Sequence, residues 1–259
     1  MRGSLNCLVF LLAATVCGCG PKGVTLVAGR TQVYVDRAAS AVTRFAAREL
    51  GGFLSQAFEA EVPVTNVFLD GYAAIVVGDN ALSRAAGIDV AKLPRDAGVI
   101  RTAGGRVYVA GSDDATLDDR AVAGAFTAGI RGNMYERASE FAVYEFLERF
   151  AGVRFYFPGE LGTVVPKRKT LEVPPTDFVN RPDYTARDYA AWEMGAWFDE
   201  AHKADGRQLM HHRHRLQTEF IPCSHGLNEF HYLRRFGKTH PEYFQMLADG
   251  TRNVDPQGR

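Results

Sequence analysis

The side chains best suited to chemistry sit late in this sequence. Ala190-Ala191-Trp192-Glu193-Met194-Gly195 and Cys223-Ser224-His225-Gly226-Leu227-Asn228 each follow a short extended run, and loops after strand ends are where a βα barrel gathers its polar and aromatic groups. An indole offers an apolar face on which a sugar ring can stack, and His225 and Asn228 can exchange hydrogen bonds with hydroxyls. Trp192, His225 and Asn228 are therefore the candidate carbohydrate contacts. The competing reading packs Trp192 between domains and leaves His225 as a hydrogen-bonded core residue. Hydrolysis of a glycosidic bond needs two carboxyl groups across it, and Glu193, Asp199 and Glu200 lie in or near the first loop without making a recognisable pair. The sequence leaves the catalytic residues unassigned.

Other polar clusters read as structure. His211-His212-Arg213-His214, with His202 nearby, has no carboxylate or cysteine at ligand spacing and carries an arginine that repels a cation, so a solvated helix face is expected and no metal. His240-Pro241-Glu242-Tyr243-Phe244 pairs a histidine with a glutamate, but a proline opening a helix beside an aromatic anchor accounts for it without catalysis. Ser224 next to His225 is not a nucleophile elbow. Gly111-Ser112-Asp113-Asp114 lacks the glycine spacing and the Lys-Ser/Thr of a phosphate loop and reads as a turn, so no cofactor is expected.

The elements that would position these groups begin with an export signal. Met1-Arg2, an apolar run from Leu8 to Val16 and then Val16-Cys17-Gly18-Cys19 make a basic start, a short apolar core and small residues before a cysteine. Val-x-Gly-Cys resembles the bacterial lipobox, which makes Cys19 the expected lipidation site; a plain secretory signal cut nearby is the alternative. Of four cysteines only Cys19 and Cys223 would then remain, with no disulfide framework. With 30 basic and 30 acidic residues there is no excess charge to neutralise phosphates, so nucleic acid is not an expected partner.

From Val24 the chain alternates apolar runs with helical periods. Thr25–Val27 and Gln32–Val35 read as a strand or hairpin around Gly29-Arg30, Ala39–Phe58 as a helix burying Val42, Phe45, Ala46, Leu50, Phe53 and Leu54, and Ala73–Val77 as a central strand. Val99–Thr102 and Arg106–Ala110 flank Gly104-Gly105 as a hairpin, and Asp118–Thr127 offers a short helix. Ser139–Pro166 is the organising stretch: an amphipathic helix with Glu145, Glu148 and Arg149 on its wetter face, a left-handed stop at Gly152 and a buried strand Val153–Phe157 closed by Pro158-Gly159. Residues 166–183 are charged and bear Pro166, Pro174, Pro175 and Pro182, so a linker or an edge segment is expected there. Beyond it, Tyr184–Tyr189, Phe198–Leu216 and Glu219–Pro222 read as strand, helix and strand, the opening of a βα barrel.

The wording of several pieces carries a resemblance. FAVYEFLERFAGVRFYFPGELGTVVPKRKTLEVP resembles the segment joining the N-terminal domain to the barrel in a family of bacterial proteins catalogued as domain of unknown function 4838. That family is similar at its N-terminus to the α-glucuronidases of glycoside hydrolase family sixty-seven. Ala46–Leu50, Ile75–Gly78, Val107–Gly111 and His240–Phe244 with Asp249-Gly250 look like further family pieces in the family's order; Arg131–Ser139 departs from it as a longer loop.

The resemblance implies an α/β (α+β) fold. A signal with lipobox would occupy 1–19, an α-glucuronidase N-terminal-like mixed-sheet domain 20–165, the linker 166–183 and an incomplete TIM-like βα barrel 184–259. The signal and Cys19 imply an exported, lipid-anchored protein of the cell envelope, and the resemblance implies that it binds oligo- or polysaccharide and is part of a polysaccharide-degrading hydrolase. The alternative is a non-catalytic glycan-binding or scaffolding lipoprotein. A closed barrel takes eight strands and about 250 residues, so a truncated chain, inactive by itself, is also expected.

Overall fold

The computed structural model describes residues 22–125, 134–157, 159–187, 205–219 and 231–254. In chain order these hold β1 (Val24–Val27), β2 (Thr31–Val35), α1 (Ala41–Phe58), β3 (Val64–Thr65), β4 (Ala73–Val77), α2 (Ala81–Ala85), β5 (Gly98–Ala103), β6 (Arg106–Gly111) and α3 (Asp119–Ala125). They continue with α4 (Ala138–Phe146), which runs into a wide helical turn over Leu147–Ala151, then β7 (Arg154–Phe155), β8 (Thr163–Val164), β9 (Thr170–Val173) and β10 (Asp177–Asn180). After these come α5 (Asp205–Arg213), α6 (Tyr232–Phe236) and a tight turn at Pro241–Tyr243.

Six strands form one mixed sheet in the order β10-β5-β6-β4-β2-β3. β6, β4, β2 and β3 run parallel, and β5 and β10 are antiparallel to their neighbours. Period-two alternation assigns the two faces. Val33, Ile75, Val77, Val107 and Val109 turn to the side covered by α1 and α4, and Tyr34, Val76, Tyr108 and Ala110 to the side of Leu82 and Ile88. The fold class expected from the sequence, α/β with a mixed sheet and helices, is the one found.

Local chemistry sets the element ends. Ser40 caps α1 by accepting the Thr43 N–H at 3.1 Å, and Asn80 and Ser83 cap α2 reciprocally, with N–H donors at 3.1 and 2.9 Å. The β5–β6 hairpin turns on Gly104 and Gly105 at φ 55° and 73°, as a two-residue loop matched to strand twist requires. α4 crosses the sheet at close range, since a Cβ on Gly111 would fall 2.6 Å from that of Ala138. The Gly111 N–H donates to Ser139 Oγ, and that hydroxyl donates to the Gly111 carbonyl, both at 3.0 Å.

Three expectations are corrected. β1 and β2 make no hairpin, because both edges of β2 are taken by parallel partners and β1 pairs instead with β9. Of the two readings of residues 166–183, a linker or an edge segment, the linker is set aside and the edge segment is found: Leu171 and Val173 alternate into the core, and β10 pairs with β5 as the sheet's edge. The strand after Gly152 is buried only at alternate positions, with Phe155 inside and Tyr156 out, because it pairs on one edge with β8 alone. The expected barrel opening falls mostly outside the described residues, and among them Tyr184–Arg187 belong to no ladder.

Candidate functional site

Trp192, His225 and Asn228, the expected sugar contacts, lie outside the described residues, as do Glu193, Asp199, Glu200 and the expected lipidation site Cys19. The structure brings a different set together, where α5 and the residues after it pack against the sheet domain. Glu140 on the first turn of α4 and His212 on α5 are both fully buried, and their Oε1 and Nδ1 lie 2.7 Å apart. Arg137, also fully buried, places Nε 3.8 Å from the same carboxyl and reaches the Leu216 carbonyl with Nη2 at 3.3 Å. Its guanidinium lies 5.3 and 5.2 Å over the rings of Tyr135 and Phe141.

Further acid–base pairs extend this seam. Arg213 meets Glu49 at 3.4 Å, and Tyr144 donates its hydroxyl to the same carboxylate at 3.0 Å. Arg215 meets Glu148 at 2.7 Å, and Asp96 holds Arg187 at 2.7 Å and accepts a short hydrogen bond from Thr218. The expectation of a solvated histidine face is therefore overturned: His211 and His212 are buried, His212 against Glu140 of α4 and the Phe45 ring of α1. Glu140 and Tyr144 stand four residues apart on one face of α4, with Arg137 just before its first turn.

Burial dominates the electrostatics here. Loss of water raises the Glu140 carboxyl to about 8 against the pull of Arg137, and pushes His212 well below its usual range with Arg137 adding to the effect. Asp113, at the end of β6, is raised by burial to about 7 although Thr43 Oγ1 donates to it at 2.6 Å and the Ser139 N–H at 2.9 Å. A raised carboxyl beside a histidine has the makings of an acid–base dyad. Yet neither side chain has any exposed surface, and a general acid must come within hydrogen-bond reach of the group it protonates. The pair is a clasp between two segments, with one proton held between Oε1 and Nδ1.

Beside the seam is a cavity of about 180 Å³ lined by Asp96, Phe141, Asn180, Arg187, His214 and Arg215. Its charged groups are already paired with one another or with Glu148. No group of three or more potential metal ligands occurs among the described residues. The His240 to Phe244 piece forms the tight turn expected from its proline. His240 stacks on Tyr243 with centroids 4.7 Å apart, and its Nδ1 lies 2.9 Å from Glu242, all on exposed surface.

No protein-family model matches the chain, and no curated protein matches it. Among solved structures, a family GH115 4-O-methyl-α-glucuronidase with specificity for decorated arabinogalactans is similar at 16% identity, with a TM-score of 0.41 over 64% of this chain and 19% of that one. A GH20 β-N-acetylhexosaminidase from Streptomyces coelicolor A3(2) is similar at 12% identity and a TM-score of 0.37, covering 69% of this chain and 29% of that one. A GH20 exo-β-N-acetylglucosaminidase from Vibrio harveyi gives 10% identity and a TM-score of 0.37, covering 76% and 22%. The chain spans less than a third of the length of each. At such scores the likeness transfers neither an activity nor a site.

Proposed function

We propose that this chain is the N-terminal, supporting part of an exported carbohydrate-active protein resembling the α-glucuronidases, in which the mixed-sheet domain holds the first elements of a catalytic βα barrel. One observation carries the reading. The sheet domain presents Glu49, Glu140, Glu148 and Asp96 to His212, Arg213, Arg215 and Arg187 of the following segment, and the raised Glu140 carboxyl is sealed from any substrate. A domain built this way positions its neighbour and does no chemistry itself. The family pieces around Phe141–Pro166 and His240–Phe244 agree with that role. Substrate contact would then belong to Trp192, His225 and Asn228, and the reacting carboxyls to the barrel.

Reading the gene past the codon for Arg259 tests this directly. A continuing frame with further alternating strand and helix patterns is the expected result. A stop there, together with oligosaccharide binding by the chain as it stands, would instead establish a glycan-binding lipoprotein. Anchoring rests on the Val16–Cys19 sequence and is tested separately: wild type should partition into detergent phase and Cys19→Ser should not, and equal partitioning removes the anchor.

A further inference from the structure

The hairpin of β7 and β8 buries one face and leaves the other bare. Phe155 turns inward, while Tyr156, Phe157, Leu161 and Val164 are exposed by 65, 38, 91 and 45%. Arg154 stands opposite Val164, and the Tyr156 N–H donates to the Gly162 carbonyl at 2.8 Å. Tyr156 and Val164 are thus diagonal neighbours on one face, with Phe157 and Leu161 at the tip. The turn is braced. The Thr163 N–H donates to the Glu160 carbonyl at 3.0 Å, its hydroxyl donates to the Gly159 carbonyl at 3.1 Å, and a Cβ on Gly162 would run into the Phe157 carbonyl. Four large apolar side chains gathered on a preformed turn, one of them almost wholly in water, mark an interaction surface.

The charges behind the tip say what kind of surface it meets. Arg154, Lys167, Arg168 and Lys169 stand against the single acid Glu160 over residues 154–169. Arg154 donates to the Glu148 and Val153 carbonyls, Lys167 to that of Gln56, and Arg168 to those of Phe150 and Ala151, so among the described residues no carboxylate neutralises any of the four. Cations already bound to carbonyls offer a diffuse positive field rather than a fork aimed at one carboxylate, and that suits a sheet of anionic headgroups better than a protein surface. Arg154 lies three strand residues behind Phe157, about 10 Å, which is the depth to which interfacial segments sink. Tyrosine fits such a boundary, with its ring in the apolar layer and its hydroxyl in water. We propose that the β7–β8 tip docks on an anionic lipid bilayer, with Tyr156, Phe157 and Leu161 entering the interface and Arg154 and Lys167–Lys169 meeting the headgroups. None of these side chains takes part in the seam and the contact does not need Cys19, so the inference stands apart from both the supporting role and the acyl anchor.

Leu161→Trp puts a reporter at the tip, on a side chain too exposed to matter for folding. The full chain carrying it, with Cys19→Ser to remove any acyl group, is mixed with phosphatidylcholine vesicles made with and without phosphatidylglycerol, each also prepared with acyl-brominated lipid. The emission it adds to that of Trp192 and Trp197 in the Cys19→Ser chain should move to the blue and be quenched by the brominated chains. Half-maximal quenching should need at least about tenfold less lipid when phosphatidylglycerol is present. Adding Lys167→Gln and Lys169→Gln should raise the lipid needed about tenfold or more, at roughly fivefold for each charge. A chain that sediments with vesicles while the emission from position 161 stays unquenched touches the bilayer elsewhere. Equal quenching in both kinds of vesicle would show that the cations meet no headgroup. A blue shift that grows with protein concentration in the absence of lipid, together with a doubled mass by light scattering, would show that a second copy covers the tip. Each of these three results overturns the proposal.

Discussion

Glu140 is a carboxyl that has lost its water without gaining a full set of partners: among the described residues its Oε2 has none, while Oε1 faces His212 and Arg137. The sign of its pH effect follows from the direction of its shift. Its pKa rises on folding, so the folded state holds a proton the unfolded chain has released, and stability falls as pH climbs from the usual glutamate range toward about 8. His212 is shifted downward, and its contribution is lost as pH falls below the ordinary histidine value. Asp113 acts in the same direction as Glu140, so the comparison that isolates Glu140 is wild type against Glu140→Gln, which leaves Asp113 and His212 in place. The variant should gain on wild type between about pH 5 and about pH 8, by up to about 1.4 kcal/mol per pH unit in urea unfolding. A gap independent of pH would mean that Glu140 is ionised in the folded protein.

At the scale of elements, the helix and strand on either side of Gly152 form the central packing contact of the sheet domain. Gly152 stops the helix at φ 70°, Phe146 is fully buried and Phe155 nearly so, its ring meeting those of Phe53 and Tyr144 edge-on at 5.2 and 5.7 Å. Truncating either phenylalanine to alanine should cost about 3 to 5 kcal/mol, whereas Val164→Ala on the exposed side of the same hairpin should cost under about 1 kcal/mol. Equal losses at Phe155 and Val164 in chemical unfolding would mean the pairing of β7 with β8 is wrong. Gly111→Ala is a second check on the same packing. Its new methyl would meet Ala138 and Ser139, and either α4 lifts or the Ser139 hydrogen bonds break, so a loss of about 1 to 3 kcal/mol is expected.

These elements were legible from periodicity: α1, β4, the β5–β6 hairpin and α4 stand where apolar spacing and glycine pairs place them. β9 and β10 were hidden by the prolines and charges around them, although Thr170-Leu171-Glu172-Val173 alternates plainly once its partner β1 is known. The seam was not legible. Arg137, Glu140 and His212 belong to residue types that normally face water, and only the meeting of α4 with α5, a long-range contact, buries them. A histidine-rich helix and an arginine-bearing loop carry no local mark of the partner each will meet.

For the molecule as a whole, the seam changes what proteolysis should reveal. The sequence alone suggests that cleavage begins soon after Pro182. Met210, His212, Leu216 and Thr218 are buried, however, and the pairs Glu49–Arg213, Glu140–His212 and Glu148–Arg215 tie this segment to α1 and α4. In contrast, no described residue of 231–254 is buried, and the rings of Tyr232, Phe236, Tyr243 and Phe244 pack mainly on one another. Local opening is cheapest where few apolar groups leave water. Limited digestion should therefore remove residues 231–254 early and leave a protected product that still contains His212, identified by intact mass. Glu140→Ala removes the carboxyl that faces His212 Nδ1 across the seam and should loosen the clasp, giving a shorter product that ends before α5 while the sheet domain persists. If wild type and Glu140→Ala yield the same product ending before Asp205, the clasp does not hold the two segments together. The supporting role proposed for the domain then loses its physical basis.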